Sequence, residues 1–190
     1  MKTYTSKIDK PLLVIQYDDD AESPREWDNL GYFITSEKRL HSPDRNESLI
    51  AIVKEGGEVS HNSAEHIEFI KNNYTDEKIL AIYPICRYEH SGISYFLGTT
   101  SGFDYSNCGF YIVTDKTLKN MPEKKKEWER IVKNELKTYN SWINGENYRF
   151  TLYDKNGEIA DSCSGFYSVD NIREHLPDEF KNENLQDYLQ

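Results

Sequence analysis

The segment that most narrows the fold is Pro122–Ile143. From Pro122 onward Trp128, Ile131, Val132, Leu136, Tyr139, Trp142 and Ile143 recur at spacings of three and four. That spacing lines one side of an α-helix with apolar groups. It predicts a helix over about 123–144, with the charges of Lys124–Lys126 on its solvated side. Such a stripe needs an apolar surface against it, and the rest of the chain offers strands. "PLLVIQY" (11–17), "GYFITSEKRL" (31–40) and "KILAIYPICRYEH" (78–90) read as strands, with two more in 92–114. Asn156-Gly157 between alternating runs predicts a hairpin within 148–168. One shorter helix is expected in 61–74, capped at Asn62 or Ser63 with Ile67, Ile70 and Tyr74 at helical spacing, and another before Pro177. The expectation is an α+β fold: a mostly antiparallel sheet with one long helix on a face and one or two shorter helices. A length of 190 residues fits a single globular domain over 1–190.

Composition bounds the partners. Twenty-three Lys and Arg against 33 Asp and Glu give a formal net charge of −10. Such a body repels nucleic acid and anionic lipid and attracts basic surfaces. Cys86, Cys108 and Cys163 are far apart and lack zinc or disulfide spacing. No apolar run is long enough for a bilayer or a signal peptide. A reduced, cytoplasmic setting is expected.

The charge is concentrated in "YDDDAESPREWDNLG", Tyr17–Gly31. Asp18, Asp19, Asp20, Glu22, Glu26 and Asp28 crowd there, with Arg25 alone to offset them. A metal site, an imitation of a phosphate backbone and a solvated loop all fit this pattern. A calcium loop does not: Ser23 and Asn29 stand where it needs Gly and a bidentate Glu. A metal centre would draw on Asp18, Asp20, Asp28, Asp104 and Asp161, with His90. Cys163 and His90 form a conceivable nucleophile and base, although a lone Cys on a hairpin strand is expected in the core. His41, His61, His66 and His175 lie in polar contexts and are expected at the surface. Walker A, GxGxxG, HExxH and GxSxG patterns are absent. "SPREWDNLG" also reads structurally: Ser23 and Glu26 fit a capping box, Trp27 docks on the core, Arg25 pairs nearby carboxylates, and Asp28, Asn29 and Gly31 close a turn.

"SPREWDNLG" resembles the signature of a widespread family of small acidic proteins encoded by phages and other mobile elements. "FDYSNCGFYIVT" (103–114), "TYNSWINGENY" (138–148) and "DSCSGFY" (161–167) are similar to its later blocks, in the same order. One departure is Glu37-Lys38-Arg39-Leu40, where the family has a His-Arg-Arg-Tyr-like segment; His41 lies beyond. The resemblance implies a phage-borne intracellular protein, dispensable for virion structure and aimed at host machinery, from a family with no assigned enzymatic activity; no catalytic residue and no cofactor are named for this chain. The expected function is counter-defence: an acidic inhibitor of a host nuclease, such as a CRISPR effector or restriction enzyme, that covers its basic nucleic-acid groove. The partner-binding residues would be Asp18, Asp19, Asp20, Glu22, Arg25, Glu26, Trp27, Asp28 and Asn29. A metal-dependent nuclease or hydrolase and an adaptor in host takeover are the alternatives.

Overall fold

The computed structural model describes residues 11–57, 63–120 and 125–190. His61, Asn62, Pro122 and Lys124, which the sequence reading singled out, lie outside them. In chain order the elements are β1 (Leu12–Tyr17), β2 (Tyr32–Thr35), α1 (Glu47–Glu55), α2 (Ser63–Asn73), β3 (Ile79–Glu89), β4 (Ile93–Leu97), β5 (Tyr105–Thr114), α3 (Lys125–Ile143), β6 (Tyr148–Tyr153), β7 (Ile159–Phe166) and α4 (Val169–Ile172). The fold is α+β with antiparallel pairing throughout both of its sheets. The chain packs as two compact units: a central one, Ser23–Asn140, and a terminal one joining the residues up to Glu22 with Ser141–Gln190. Among the described residues no helix is long and apolar enough to cross a membrane.

In the central unit the sheet order is β2-β5-β3-β4. Residues 108–114 of β5 are buried without alternation, which requires cover on both faces. Phe33 pairs with Tyr111 and points to α3, where the Phe33 ring meets Tyr139 edge-on at 6.0 Å and Tyr95 at 4.9 Å. Ile34 pairs with Phe110 on the other face and packs with Leu49 and Val53 of α1 and Ile70 of α2. The long helix therefore covers one face, as its stripe required.

The helix α1 is an addition to the sequence reading, which took 41–48 as a turn. Asn46 caps it by accepting the Leu49 N–H at 3.1 Å, and Leu49 and Val53 turn inward. The second strand is shorter than expected. It stops at Thr35, where the Thr35 hydroxyl donates to Cys108 O and the Thr35 N–H turns to Ser42 Oγ. His66 also departs from expectation and is buried. It lies on the inner side of α2, edge-on to Phe110 at 4.8 Å, and its Nε2–H donates to Val53 O at 2.9 Å.

The terminal unit orders its strands β1-β6-β7. Leu13, Ile15, Phe150 and Leu152 face a core completed by Phe166, Val169, Ile172, Leu176, Phe180 and Leu185. The polar-looking tail thus supplies apolar anchors, and its last residue returns to β1, Gln190 N–H donating to Ile15 O at 2.9 Å. Residues 159–165 of β7 are exposed. Cys163, expected in the core, is therefore at the surface, because β7 is the last strand of its sheet and these residues have no cover.

Burial holds the His66 pKa below its ordinary 6.5, outweighing the Val53 hydrogen bond that raises it. The unfolded chain then takes up this proton first as pH falls. The stability that neutral His66 contributes is full above about pH 6.5 and shrinks below it. Urea melts between pH 7.5 and 5 are expected to flatten in His66→Gln by comparison with the wild type.

Candidate functional site

The SPREWDNLG segment opens the central unit, and Arg25 organises it. Ser23 precedes a short 3-10 turn, Pro24–Glu26, with Pro24 at a position that needs no N–H. Ser23 Oγ accepts from the Arg25 N–H at 3.3 Å, while Glu26 N–H donates to Ser23 O. This is a cap of different geometry from the predicted box, in which the hydroxyl would serve Glu26.

The turn sends Arg25 inward, where it is 7% exposed. Its Nε–H donates to Asp44 Oδ1 at 3.0 Å, and Nη2 to Asp44 Oδ2 and to Gly31 O at 2.8 Å. Nη1 donates to Asn29 Oδ1 and Glu135 Oε2, each at 3.1 Å. All five guanidinium N–H groups are thus used. Burial works against the charge, but the hydrogen bond and charge of Asp44 outweigh it and raise the Arg25 pKa. The carboxylates that pair Arg25 are distant in sequence, in place of the neighbours expected.

The same network ties down the backbone of the motif. Asp44 Oδ2 accepts the Phe33 N–H, and Glu135 Oε1 accepts the Leu30 N–H at 2.9 Å. The Tyr111 hydroxyl accepts the Gly31 N–H at 2.8 Å and donates to Glu135 Oε2. Arg25 lies 5.4 Å from the centre of the Tyr111 ring. A Cβ on Gly31 would meet Ile112 O at 2.4 Å and Tyr111 Cε1 at 2.7 Å, so only glycine fits there. Asn29 closes the loop through Nδ2, which donates to Pro24 O and Trp27 O.

Six motif residues are accounted for in this way: Ser23, Pro24, Arg25, Asn29, Leu30 and Gly31. Glu26, Trp27 and Asp28 are exposed. Trp27, expected on the core, is 48% exposed, because the inward place is taken by Arg25 and Leu30. These residues border a cleft of about 400 Å³, with Tyr32, Pro43, Arg45 and Lys116 also in its walls and the Arg25–Asp44 pair in its lining.

The other predicted site residues are placed as follows. Asp19, Asp20 and Glu22 are exposed in the terminal unit, whereas Asp18 is buried there. Asp18 and Arg25 are therefore withdrawn from any partner surface. Asp104 lies 3.9 Å from His90 in the central unit. Asp161, exposed on β7, accepts the Ser162 N–H. Among the described residues no three His, Cys, Asp or Glu side chains are gathered to hold a metal ion. Asp18, Asp20, Asp28, Asp104 and Asp161 are thus not brought together as one centre. Cys163 and His90 belong to different units.

Sequence reasoning missed Asp44, Tyr111 and Glu135. Glu135 was legible in part: it lies three residues after Val132 and four before Tyr139, on the apolar stripe of α3, where a carboxylate needs a buried partner.

Comparison with protein-family models, with curated proteins and with solved structures finds no match for the chain.

Removing the guanidinium leaves Asp44 and Glu135 facing a buried void. Arg25→Ala is expected to cost about 3–5 kcal/mol in chemical denaturation, and Arg25→Lys to recover only part of that, since an ammonium cannot fill five donor positions.

Proposed function

We propose that this chain is a counter-defence protein of a phage or mobile element. It acts in the host cytoplasm as an acidic binding inhibitor that occupies the basic nucleic-acid surface of a defence nuclease. The observation that carries this reading is the inward turn of Arg25. Asp19, Asp20 and Glu22 are exposed on the terminal unit, and Glu26 and Asp28 on the central unit, where Arg25 beside them in the sequence is buried.

Exposed carboxylates of this kind compete for a cationic groove by the electrostatics that hold a phosphate backbone. Exposed Trp27 adds an aromatic anchor of the sort that dominates interface energetics. Inhibition by binding is stoichiometric and needs no cofactor. A metal-dependent hydrolase would instead act substoichiometrically and stop with chelator.

The test is titration against purified CRISPR effectors and restriction nucleases. Complete inhibition of a target at a 1:1 ratio is expected, weakening as salt rises. Combined neutralisation of Asp19, Asp20, Glu22, Glu26 and Asp28 to their amides should weaken it by about a hundredfold or more, and Trp27→Ala by about tenfold. Undiminished inhibition by the neutralised chain, with the same salt response, would contradict the proposal.

A further inference from the structure

The sheet of the central unit carries a group of aromatic rings that its helices do not cover. Tyr88 of β3 lies directly opposite Tyr105 of β5, and Cys86 lies opposite Phe96 of β4. Residues two apart on a strand share a face, so Tyr88, Phe96 and Tyr105 stand together on one side. Pro84 belongs to the same side and pairs with Phe110, which packs with α1 and α2. The far end of this side is open: Tyr88 and Phe96 are half-buried, and Tyr105 is 42% exposed. The Tyr88 and Tyr105 ring centres are 4.9 Å apart, and Phe96 meets Tyr105 edge-on at 6.1 Å.

The turn before β5 extends this patch. Tyr105 N–H donates to Gly102 O at 3.3 Å, which leaves Phe103 and Asp104 at the apex. A Cβ on Gly102 would meet Tyr105 Cδ2 at 2.9 Å, so glycine lets the turn close against the ring. Asp104 O accepts the Glu89 N–H at 3.0 Å and ties the apex to the end of β3. Phe103 is left fully exposed. The charges at this end of the sheet are mostly negative. Asp104 shares the apex with Phe103, and Glu37 and Glu89 have only Arg87 between them, at 3.4 and 3.3 Å. Electron-rich ring faces bordered by carboxylates attract a cation, whereas a phosphate backbone is repelled.

We infer that this patch receives an arginine-bearing segment of a partner protein. A guanidinium is flat and weakly hydrated, so it lies on an aromatic face while its N–H groups reach a carboxylate. Phe103 and Tyr105 supply the faces, and Asp104 supplies the carboxylate. An ammonium holds its water more tightly and gains less from the rings. The site draws on none of the carboxylates of residues 19–28 and does not rest on the inhibitor reading.

The test titrates the full chain, ring-labelled for NMR, with a short peptide alternating arginine and glycine at about 0.15 M salt. The same peptide with lysine for arginine and an oligothymidylate of similar length are the comparisons. The arginine peptide is expected to give saturable shifts at Tyr88, Phe103 and Tyr105. The lysine peptide should bind about threefold or more weakly, and the oligonucleotide should give no response. Phe103→Leu with Tyr105→Leu keeps the net charge and the apolar bulk, and should weaken the arginine peptide by about tenfold or more. Should that pair fail to fold, Phe103→Leu alone, at a fully exposed side chain, should weaken it by about threefold. Neutralising Asp19, Asp20, Glu22, Glu26 and Asp28 should leave the ring shifts in place, even where it abolishes nuclease inhibition. Equal binding by the leucine variants and the wild type, as diffuse attraction to the net charge would give, overturns the inference. So does saturable binding of the oligonucleotide in place of the peptide, and equal affinity for the lysine peptide overturns the choice of arginine.

Discussion

The Arg25 guanidinium, buried between Asp44 and Glu135, is the interaction on which the central unit depends. It is a costly arrangement, because three charges are taken out of water. It is tolerated because the hydrogen bonding closes: five donors meet five acceptors, Asp44 Oδ2 and Glu135 Oε2 accept in addition the Phe33 N–H and the Tyr111 hydroxyl, and the remaining Glu135 Oε1 takes the Leu30 N–H. The acceptors come from the turn itself, from the segment after β2 and from α3. One side chain therefore sets the entry to β2 and its seat beneath α3 together.

This accounts for a motif that mixes charges with turn residues. Within nine positions, Ser23–Arg25 and Asn29–Gly31 hold the turn, and Glu26, Trp27 and Asp28 between them are left at the surface. Because Arg25 is consumed inside, it does not offset the carboxylates of its own segment that remain outside. The fold and the surface charge thus have one cause. Asp18 is a separate case: it lies buried in the other unit.

Much of the framework was legible in the sequence. Helix α3 announced itself through its stripe, and Asn156-Gly157 marked the β6–β7 hairpin, because both signals are local and periodic. Helix α1 was hidden behind a turn-rich run, although Asn46 followed by Leu49 and Val53 carried the signal. Trp27 and His66 were misplaced for a different reason. Hydrophobic character favoured Trp27 for the core, but the inward position went to an arginine whose partners lie 19 and 110 residues away. His66 sits among polar neighbours in sequence and still faces inward, since helical geometry aligns it with Ile70. The pairing of Arg25 with Asp44 and Glu135 is a tertiary fact with no local trace beyond a glutamate on an apolar stripe.

The central claim is that Arg25 is locked inside, so that the one cation of its segment is withdrawn from the surface. Hydrogen exchange of the arginine Nε–H groups, followed by NMR on nitrogen-labelled protein, addresses it directly. The account predicts an Arg25 Nε–H far more slowly exchanging than those of exposed arginines such as Arg45 or Arg130. An Arg25 signal that exchanges as fast as theirs would contradict it.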